Sequence, residues 1–578
     1  MQPRTVSARG LFLGGAIGLA LWLGATFVWH VTWRQGISLP VILFLDQDFP
    51  VLLGALVLIA LAAPFAEGRG FSLPEPSARI VIPFIVLMGL AAWAGHYSLF
   101  QNYAISRDEE VARFAAAYMR EGMLSRPIPV EWEAYRRAIM PEFFSPFGAA
   151  DYWTAAYLPV NSALQAFFWR IGDPNLAGPV LLVTGFIALW RIALHLMPGR
   201  SDAVWVTLLL AFSSTQLWVT AMTPYAMTGH FALNLVWLAL VLRGGKLGHG
   251  VAGIVAILAA GLHQWHFPPL FIGPFILWML LGRRWLQAAF HIAILILIVI
   301  LWAKLWPHYL AGLLGPAMDV RPSAGVVDKV GSLFTRLGDK WQPLVNLTRF
   351  AAWNDILMVP LAVLGIGAMR WRAAIRGQEI ALPLALGCLA GCVLALAQGY
   401  GWGFRYAHGY IGPFCLLAGL GWMRLRSKEA LRPLFIGLVV TGLTSAWLVW
   451  RTHEFVAPYA ASHRMIDASE ADVVLVDPRG GLFVTDLVRG RDGVPGRPMV
   501  MNLGMLSLDQ VDRLCEDYVV ELFDRSEFRP LGVPLARWRL GRMDALRAHM
   551  KNVGCDKPVP PPLPETFEDA MDQAGGVL

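Results

Sequence analysis

The sequence predicts a polytopic α-helical membrane protein with one small soluble domain at its C-terminal end. Of its 578 residues, 56% are apolar and 15% are charged, whereas a soluble domain carries roughly 25% charged residues. The apolar residues form runs of about 17–22, long enough to cross the ~30 Å hydrocarbon core of a bilayer. The basic residues gather in short loops between alternate runs, as on the cytoplasmic side of membrane proteins. The net charge of +7 therefore does not indicate a nucleic-acid partner.

About thirteen membrane spans are predicted. They cover roughly residues 11–32, 50–66, 80–100, 176–197, 203–222, 228–242, 249–266, 268–282, 286–304, 354–370, 380–398, 408–423 and 432–450. The first run lacks a small-residue cleavage site, which indicates a retained span and not a signal peptide. With the N-terminus in the cytoplasm, every short inner loop carries Arg or Lys and the short outer loops are nearly free of them. An odd number of spans then places the C-terminal domain in the periplasm of a bacterial inner membrane.

This topology divides the chain into three parts. Residues 1–75 hold two N-terminal spans, residues 76–450 form the main transmembrane domain, and residues 451–578 form the periplasmic domain. The main domain carries two long outer loops, 101–175 and 305–353, and loops of this length without an evident fold are usually functional. Within the first loop, residues 153–171 are moderately apolar, which predicts a helix in the membrane interface or against the bundle.

The C-terminal part has the pattern of a small α/β domain. Residues 471–477 and 497–502 are predicted as strands and residues 508–515 as a short helix. The proline-rich end after residue 557 is predicted to be extended or disordered. Cys515 and Cys555 could form a disulfide if the domain is periplasmic.

An acidic cluster follows the third span in the segment S-R-D-E-E, residues 106–110. A helix is predicted from Glu109 to Glu121, with Ser106 or Asp108 suited to its N-cap and acidic residues favoured in its first turn. A carboxylate at the membrane surface can also accept a proton from a sugar hydroxyl or bind a divalent cation. The residues alone leave both interpretations of Asp108 open.

Other polar residues lie at predicted outer ends of spans. Arg405 stands among glycines and either binds a phosphate or extends to the interface as long cationic side chains do. His263 and His266, at helical spacing, could bind phosphate or metal or could simply belong to the interface. The same ambiguity holds for Lys304, and Asp151 is a candidate second acid of the first outer loop.

The order of these features resembles the GT-C superfamily of integral membrane glycosyltransferases, in particular its protein-mannosyltransferase and aminoarabinose-transferase branch. An apolar span leads to S-R-D-E-E-V-A-R-F-A, an outer loop leads to Y-L-P-V-N-S-A-L at residues 157–164, and Arg405-Tyr406 begins a late span. The resemblance covers roughly residues 80–450. This chain differs in having spans 11–32 and 50–66 before the acidic loop, where the family commonly has one span, and in Val160 replacing a second proline.

The resemblance implies transfer of a sugar, with inversion, from a polyprenyl-phosphate donor to an acceptor on the outer face. Asp108 would be the general base on the acceptor hydroxyl, and Glu109 would orient it or, with Asp108, help hold a divalent cation such as Mg²⁺ or Mn²⁺. Arg405 and Tyr406 would face the lipid phosphate. The acceptor would be a lipid, a glycan or a protein. Membrane lipid, which surrounds the predicted spans, is a further expected partner.

Three other functions fit parts of the sequence. A transporter or flippase would show internal repeats and carboxylates deep in its spans, and neither pattern is evident here. A polysaccharide polymerase or ligase would carry Arg-rich outer loops more than an early Asp-Glu pair. A scaffold that binds a partner through its C-terminal domain is suggested by that domain alone. Short inner loops and the lack of nucleotide-binding motifs argue against a nucleotide-sugar donor.

Overall fold

The computed structural model describes residues 6–32, 42–66, 73–141, 151–314, 342–396, 401–425, 432–490, 496–535 and 541–555. The chain forms two compact units, each assembled from two segments. The first unit contains Met1–Leu99 and Tyr157–Thr452, and the second contains Phe100–Ala156 and His453–Leu578. The predicted outer loop 101–175 is thus divided, because its first part belongs to the same unit as the C-terminal segment.

Helices make up most of the described chain. In chain order they are α1 (Ala8–Thr32), α2 (Phe49–Ala62), α3 (Ala78–Ser98), α4 (Arg107–Arg120), α5 (Val160–Arg170), α6 (Ala177–Leu196), α7 (Ser201–Phe212), α8 (Thr215–Ala221), α9 (Met227–Arg243), α10 (Gly245–Ala260), α11 (Phe267–Leu281), α12 (Trp285–Ile298), α13 (Trp306–Leu314), α14 (Gln342–Trp353), α15 (Met358–Gly367), α16 (Trp371–Ala374), α17 (Ala381–Val393), α18 (Ile411–Trp422), α19 (Arg432–Asp467), α20 (Leu508–Asp517), α21 (Arg525–Phe528) and α22 (Gly541–Asn552).

The first unit is a polytopic bundle of apolar helices. By length and composition, six helical segments of the described chain can cross a membrane, or up to eight if each of two bent pairs is one span. Each predicted apolar run falls largely on a helix, and the count of thirteen spans stays a prediction. In the most apolar stretch of α6, 56% of the residues are buried, against 28% in α1. The helix α6 therefore lies inside the bundle, and α1 presents an apolar surface of the kind that lipid covers.

The two bent helix pairs contact each other at their breaks. The first bends by 52° between α7 and α8, and the second bends by 104° between α14 and α15. Ser213 donates to the Asp355 carboxylate (2.7 Å), and Ser214 donates to the Asn354 side-chain oxygen (2.7 Å). Backbone groups released where a helix breaks in an apolar bundle need partners inside the protein. The Ser214 hydroxyl accepts from the backbone N–H of Leu217 (3.2 Å), and the Asp355 carboxylate accepts from that of Leu357 (2.9 Å).

A helix is predicted within residues 153–171, and α5 confirms it for the second part of that segment. Asn161 and Gln165 are buried and donate to the backbone carbonyl of Pro224, at 2.9 Å and 3.2 Å. Phe167 and Ile171 are exposed on the other side. The face of α5 that carries Asn161 and Gln165 therefore packs against the protein.

The second unit contains a parallel sheet of three strands in the order β4-β3-β5. The five strands of the described chain are β1 (Arg126–Pro127), β2 (Tyr152–Trp153), β3 (Val473–Val476), β4 (Met499–Asn502) and β5 (Val520–Phe523). β1 and β2 pair antiparallel. The central strand β3 is entirely buried, as expected when a parallel sheet is covered on both faces. Two of these strands and α20 lie where the sequence predicts them, and the proline-rich end falls outside the described residues.

A disulfide joins Cys515 near the end of α20 to Cys555, which follows α22. The two Cα atoms are 5.3 Å apart, and 40 residues separate the cysteines in sequence. Disulfides persist in oxidising compartments such as the bacterial periplasm. The structure therefore pairs the two cysteines for which the sequence left a disulfide open.

Candidate functional site

The N-terminus of α4 is built around a capping box. The Ser106 side chain accepts a hydrogen bond from the backbone N–H of Glu109 (3.4 Å), and the Glu109 carboxylate accepts one from the backbone N–H of Ser106 (2.8 Å). The segment S-x-x-E is the usual sequence of this motif, and it starts the helix at Arg107, before the predicted Glu109. Ser106 is the N-cap and Asp108 lies in the first turn, so the interpretation of Asp108 as the cap is wrong.

The three carboxylates of the acidic cluster have different environments. Glu109 is fully buried and Glu110 nearly so, whereas Asp108 is half-buried. Burial raises the pKa of Glu109 to about 7, although the hydrogen bonds from Ser106 oppose the shift and the charge of Asp108 adds to it. Burial therefore favours the protonated form of Glu109. Asp108 is the carboxylate of the cluster that reaches solvent.

A buried arginine from the C-terminal segment holds the first turn of α4. Arg489 forms an ion pair with Glu110 at 2.6 Å, and both side chains are almost fully buried. Its guanidinium also donates to the carbonyl of Ala104 (2.6 Å) and lies 4.0 Å from the centroid of the Tyr103 ring. Burial acts to lower the pKa of Arg489, but Tyr103 and Glu110 raise it above its ordinary value. The charged guanidinium thus joins the chain before α4 to the helix.

A second ion pair holds the same turn. Arg107 lies 3.0 Å from Asp486, which is part of the 3-10 turn Val484–Leu487. Burial raises the pKa of the Asp486 carboxyl, while Arg107 and Arg489 oppose the shift. The sequence prediction missed both Asp486 and Arg489, because they lie in a segment with no predicted element. The Asp-x-x-Arg spacing was the signal available for them.

Asp151 lies beside β2 in the second unit. Its carboxylate forms an ion pair with Arg136 at 3.4 Å, and both side chains are about half exposed. Exposed pairs of this kind contribute about 0–1 kcal/mol. Asp151 is therefore a surface residue with a cationic partner, and its role as a second acid stays a prediction.

The predicted histidines lie in a turn of the first unit between α10 and α11. His263 and His266 are not on one helix, because α10 ends at Ala260 and α11 begins at Phe267. Both rings nevertheless contact the Phe267 ring, with centroid distances of 5.9 Å and 4.9 Å, and Tyr406 contacts it at 5.1 Å. The structure therefore brings His263, His266 and Tyr406 together around Phe267. The expectation of a shared helical face is wrong.

Tyr157 of the Y-L-P-V segment packs against this group. Its ring centroid lies 4.2 Å from that of His263. The backbone N–H of Leu158 donates to the His263 carbonyl (3.3 Å), and that of Val160 donates to the Gly261 carbonyl (2.9 Å). The segment quoted for the family resemblance thus lies against the predicted histidines.

Arg405 begins the 3-10 turn Arg405–Tyr410 and is buried. Its guanidinium lies 5.1 Å from the Tyr225 ring and 5.5 Å from the Tyr406 ring. Gly401 has a φ of +116°, and a Cβ added there would lie 2.9 Å from the Arg405 side chain. Glycine is needed at such a position because its lack of a side chain permits both the conformation and the close approach. The loop before Arg405 is therefore shaped around that side chain.

A buried ion pair anchors this loop. The Arg349 Nε lies 2.8 Å from the Asp48 carboxylate, and both side chains are fully buried. The Nη2 of the same guanidinium donates to the Gly401 carbonyl at 2.5 Å. Trp353 also donates to Asp48 (2.6 Å). Asp48 lies in the N-terminal part of the chain. The two predicted spans of that part precede the features on which the family resemblance rests. The sequence prediction missed this role of Asp48 and Arg349.

Lys304 lies in the π-helical turn Val299–Leu305 and is exposed. It belongs to the first unit, as do Arg405, Tyr406, His263 and His266, while Asp108, Glu109 and Asp151 belong to the second. Most of the second predicted outer loop, residues 315–341, falls outside the described residues.

The divalent-cation site predicted at Asp108 and Glu109 stays a prediction. Glu109 is buried, and one of its oxygens accepts the hydrogen bond from Ser106. Hard divalent cations take six or more oxygen ligands, many of them water. In the part of the chain that the structure describes, no group of three or more His, Cys, Asp or Glu side chains could hold a metal ion. No step of the proposed reaction is assigned to a metal.

No family model matches the chain, and no curated protein matches it. Among solved structures, the chain is similar to ArnT from Cupriavidus metallidurans in the apo state, with 13% identity and a TM-score of 0.46, over 75% of this chain and 91% of that one. It is also similar to the same ArnT bound to undecaprenyl phosphate, with 15% identity and a TM-score of 0.41, over 83% and 90% of the two chains.

Proposed function

We propose that this protein is a membrane glycosyltransferase that uses a polyprenyl-phosphate-linked sugar donor and acts on the periplasmic face of a bacterial inner membrane. The observation that carries the proposal is the environment of Asp108. Of the three carboxylates in S-R-D-E-E, two are buried as structural groups of the α4 N-terminus, and Asp108 reaches solvent. This is the residue that the GT-C resemblance assigns as the base. The disulfide in the second unit supports an oxidising compartment.

In this reaction Asp108 removes the proton from an acceptor hydroxyl. The hydroxyl oxygen forms a bond to the anomeric carbon from the face opposite the leaving group, and the bond between that carbon and the phosphate oxygen breaks. The configuration therefore inverts, and the polyprenyl phosphate leaves with the electron pair. The near-neutral pKa of Glu109 limits the negative charge beside Asp108.

Arg405 is the proposed group for the lipid phosphate. A guanidinium forms strong charge-assisted hydrogen bonds with phosphate oxygens. Burial beside Tyr225 and Tyr406 reduces competition from water, which strengthens such bonds. The ion pair between Asp48 and Arg349, through the Gly401 carbonyl, sets the conformation of the loop that carries Arg405.

The experiment is transfer of labelled sugar from synthetic polyprenyl-phosphate donors in proteoliposomes. Asp108→Asn should lose activity by about 10²–10⁴-fold, the usual contribution of a general base, and keep its thermal midpoint. Glu131→Gln, an exposed carboxylate in the same unit, is the matched control and should keep full activity. Transfer by folded Asp108→Asn at the wild-type rate would contradict the role of Asp108.

A transporter or flippase is the second candidate, and the two bent helix pairs favour it. Discontinuous helices form substrate sites in many transporters. Here the breaks are joined by hydrogen bonds from Ser213 to Asp355 and from Ser214 to Asn354, which gives them a structural role as well. In the same proteoliposomes, substrate uptake or lipid flipping without any transfer would support this candidate. A product of many added sugars would instead indicate a polymerase or ligase.

A further inference from the structure

A groove of the first unit lies between α6 and α9, away from the residues of the proposed reaction. Its volume is about 750 Å³. The residues that line it are Thr184, Ile187, Ala188, Arg191, Ile192 and His195 on α6, and Val236, Ala239, Leu240, Leu242 and Arg243 on α9. The walls are mostly aliphatic, and the basic residues lie towards the C-terminal ends of both helices.

The shape of the groove follows from a close approach of the two helices. At Gly185 an added Cβ would lie 2.4 Å from the Phe231 ring and 3.2 Å from the Cα of Ala232. The lining residues continue from there towards the C-terminal ends, so the space opens in that direction. From Thr184 to His195, α6 rises about 16 Å at 1.5 Å per residue. This is close to half of the ~30 Å hydrocarbon thickness, which is the depth of one leaflet.

The charge of the groove is of one sign. Arg191, His195 and Arg243 line it, and none of the lining residues is a carboxylate. Within the described residues, the side chains of these three form no ion pair or hydrogen bond. Cations near helix C-termini gain some energy from the helix dipole, which explains why these residues are tolerated there. It does not explain an apolar space of one-leaflet depth beside them.

We propose that this groove binds a phospholipid with an anionic headgroup. The lipid phosphate lies between Arg191 and Arg243 with His195 beside it, and one acyl chain lies along Ala188, Ile192 and Leu240. Basic pockets between transmembrane helices on the cytoplasmic side are suited to anionic headgroups. The predicted topology places this end of α6 and α9 on that side. The site requires no sugar donor, so it is independent of the proposed function.

The test is lipid binding by the full-length protein, purified in a neutral detergent and titrated with phosphatidylglycerol or phosphatidylcholine of identical acyl chains. Bound lipids are counted by native mass spectrometry. The wild type should prefer phosphatidylglycerol by about tenfold or more, the effect of one to three basic side chains beside an anionic headgroup. The double variant Arg191→Gln/Arg243→Gln should lose that preference.

Two further variants separate the site from general effects. Arg372→Gln/Arg376→Gln removes two exposed charges from a predicted inner loop and should keep the preference. Ala239→Trp fills the groove with its charges intact and should reduce binding of both lipids. An unchanged preference in Arg191→Gln/Arg243→Gln, checked for a normal elution profile and thermal midpoint, would overturn the proposal. Equal competition by inorganic phosphate would also overturn it, since the acyl chain would then contribute nothing.

Discussion

Replacing Arg489 by Met should release the first turn of α4 from the C-terminal segment. The substitution removes the guanidinium that pairs with Glu110 at 2.6 Å and donates to the Ala104 carbonyl. Methionine keeps an unbranched apolar side chain, so most of the packing volume remains. Glu110 would then be a buried carboxylate without its partner, beside the residue proposed as the base.

The expected cost follows from the burial of both groups. Removing one partner of a buried ion pair destabilises by about 3–5 kcal/mol. Because about 1.4 kcal/mol corresponds to a factor of ten, 3 kcal/mol is roughly a 150-fold change in a local opening equilibrium. Hydrogen exchange of the α4 amides, measured in nanodiscs, reports this opening directly. We expect their protection to fall by about two orders of magnitude and sugar transfer to fall with it.

A double-mutant cycle tests the reasoning. Adding Glu110→Gln to Arg489→Met removes the stranded charge and should restore part of the protection, since the coupling of neighbours appears as non-additivity. The matched control is Arg136→Gln, whose partner Asp151 is 60% exposed, and it should change protection by less than about 1 kcal/mol. Additive effects of the two changes would refute the proposal that the ion pair between Glu110 and Arg489 holds the first turn of α4.

Three further predictions concern groups around the two candidate sites. Glu109→Gln keeps the capping box but removes a carboxyl whose pKa is raised to about 7. The wild type should therefore lose stability as the pH rises from about 4.5 to 7, and a thermal-shift series should be flatter in the variant. Asp48→Asn removes the carboxylate charge that pairs with the buried Arg349, so it should lower the thermal midpoint and raise KM for the lipid donor. An unchanged KM would argue against the role of the loop. Cys515→Ser/Cys555→Ser opens a 40-residue loop, which should cost the second unit about 4 kcal/mol, and limited proteolysis of that unit would detect it.

The short-range features of the chain were accessible in the sequence. A run of about 20 apolar residues predicts a helix, because a lipid-exposed backbone must satisfy its own hydrogen bonds. The S-x-x-E segment marks the start of α4 through a motif that spans four residues. The strands at 471–477 and 497–502 follow from alternation and apolar runs near turns. Each of these signals is contained in neighbouring residues, which is why the elements lie close to their predicted positions.

The partners of the buried charges were decided by the tertiary structure alone. Glu110 and Arg489 are 379 residues apart in sequence, and Asp48 and Arg349 are 301 apart. A charged residue read in sequence shows only that it needs a partner or solvent, and which of these it meets depends on long-range packing. The same packing decided that His263 and His266 share a turn and not a helix. The sequence by itself determined where the helices run and where the acidic cluster begins, and the fold decided which of its carboxylates is left to face solvent.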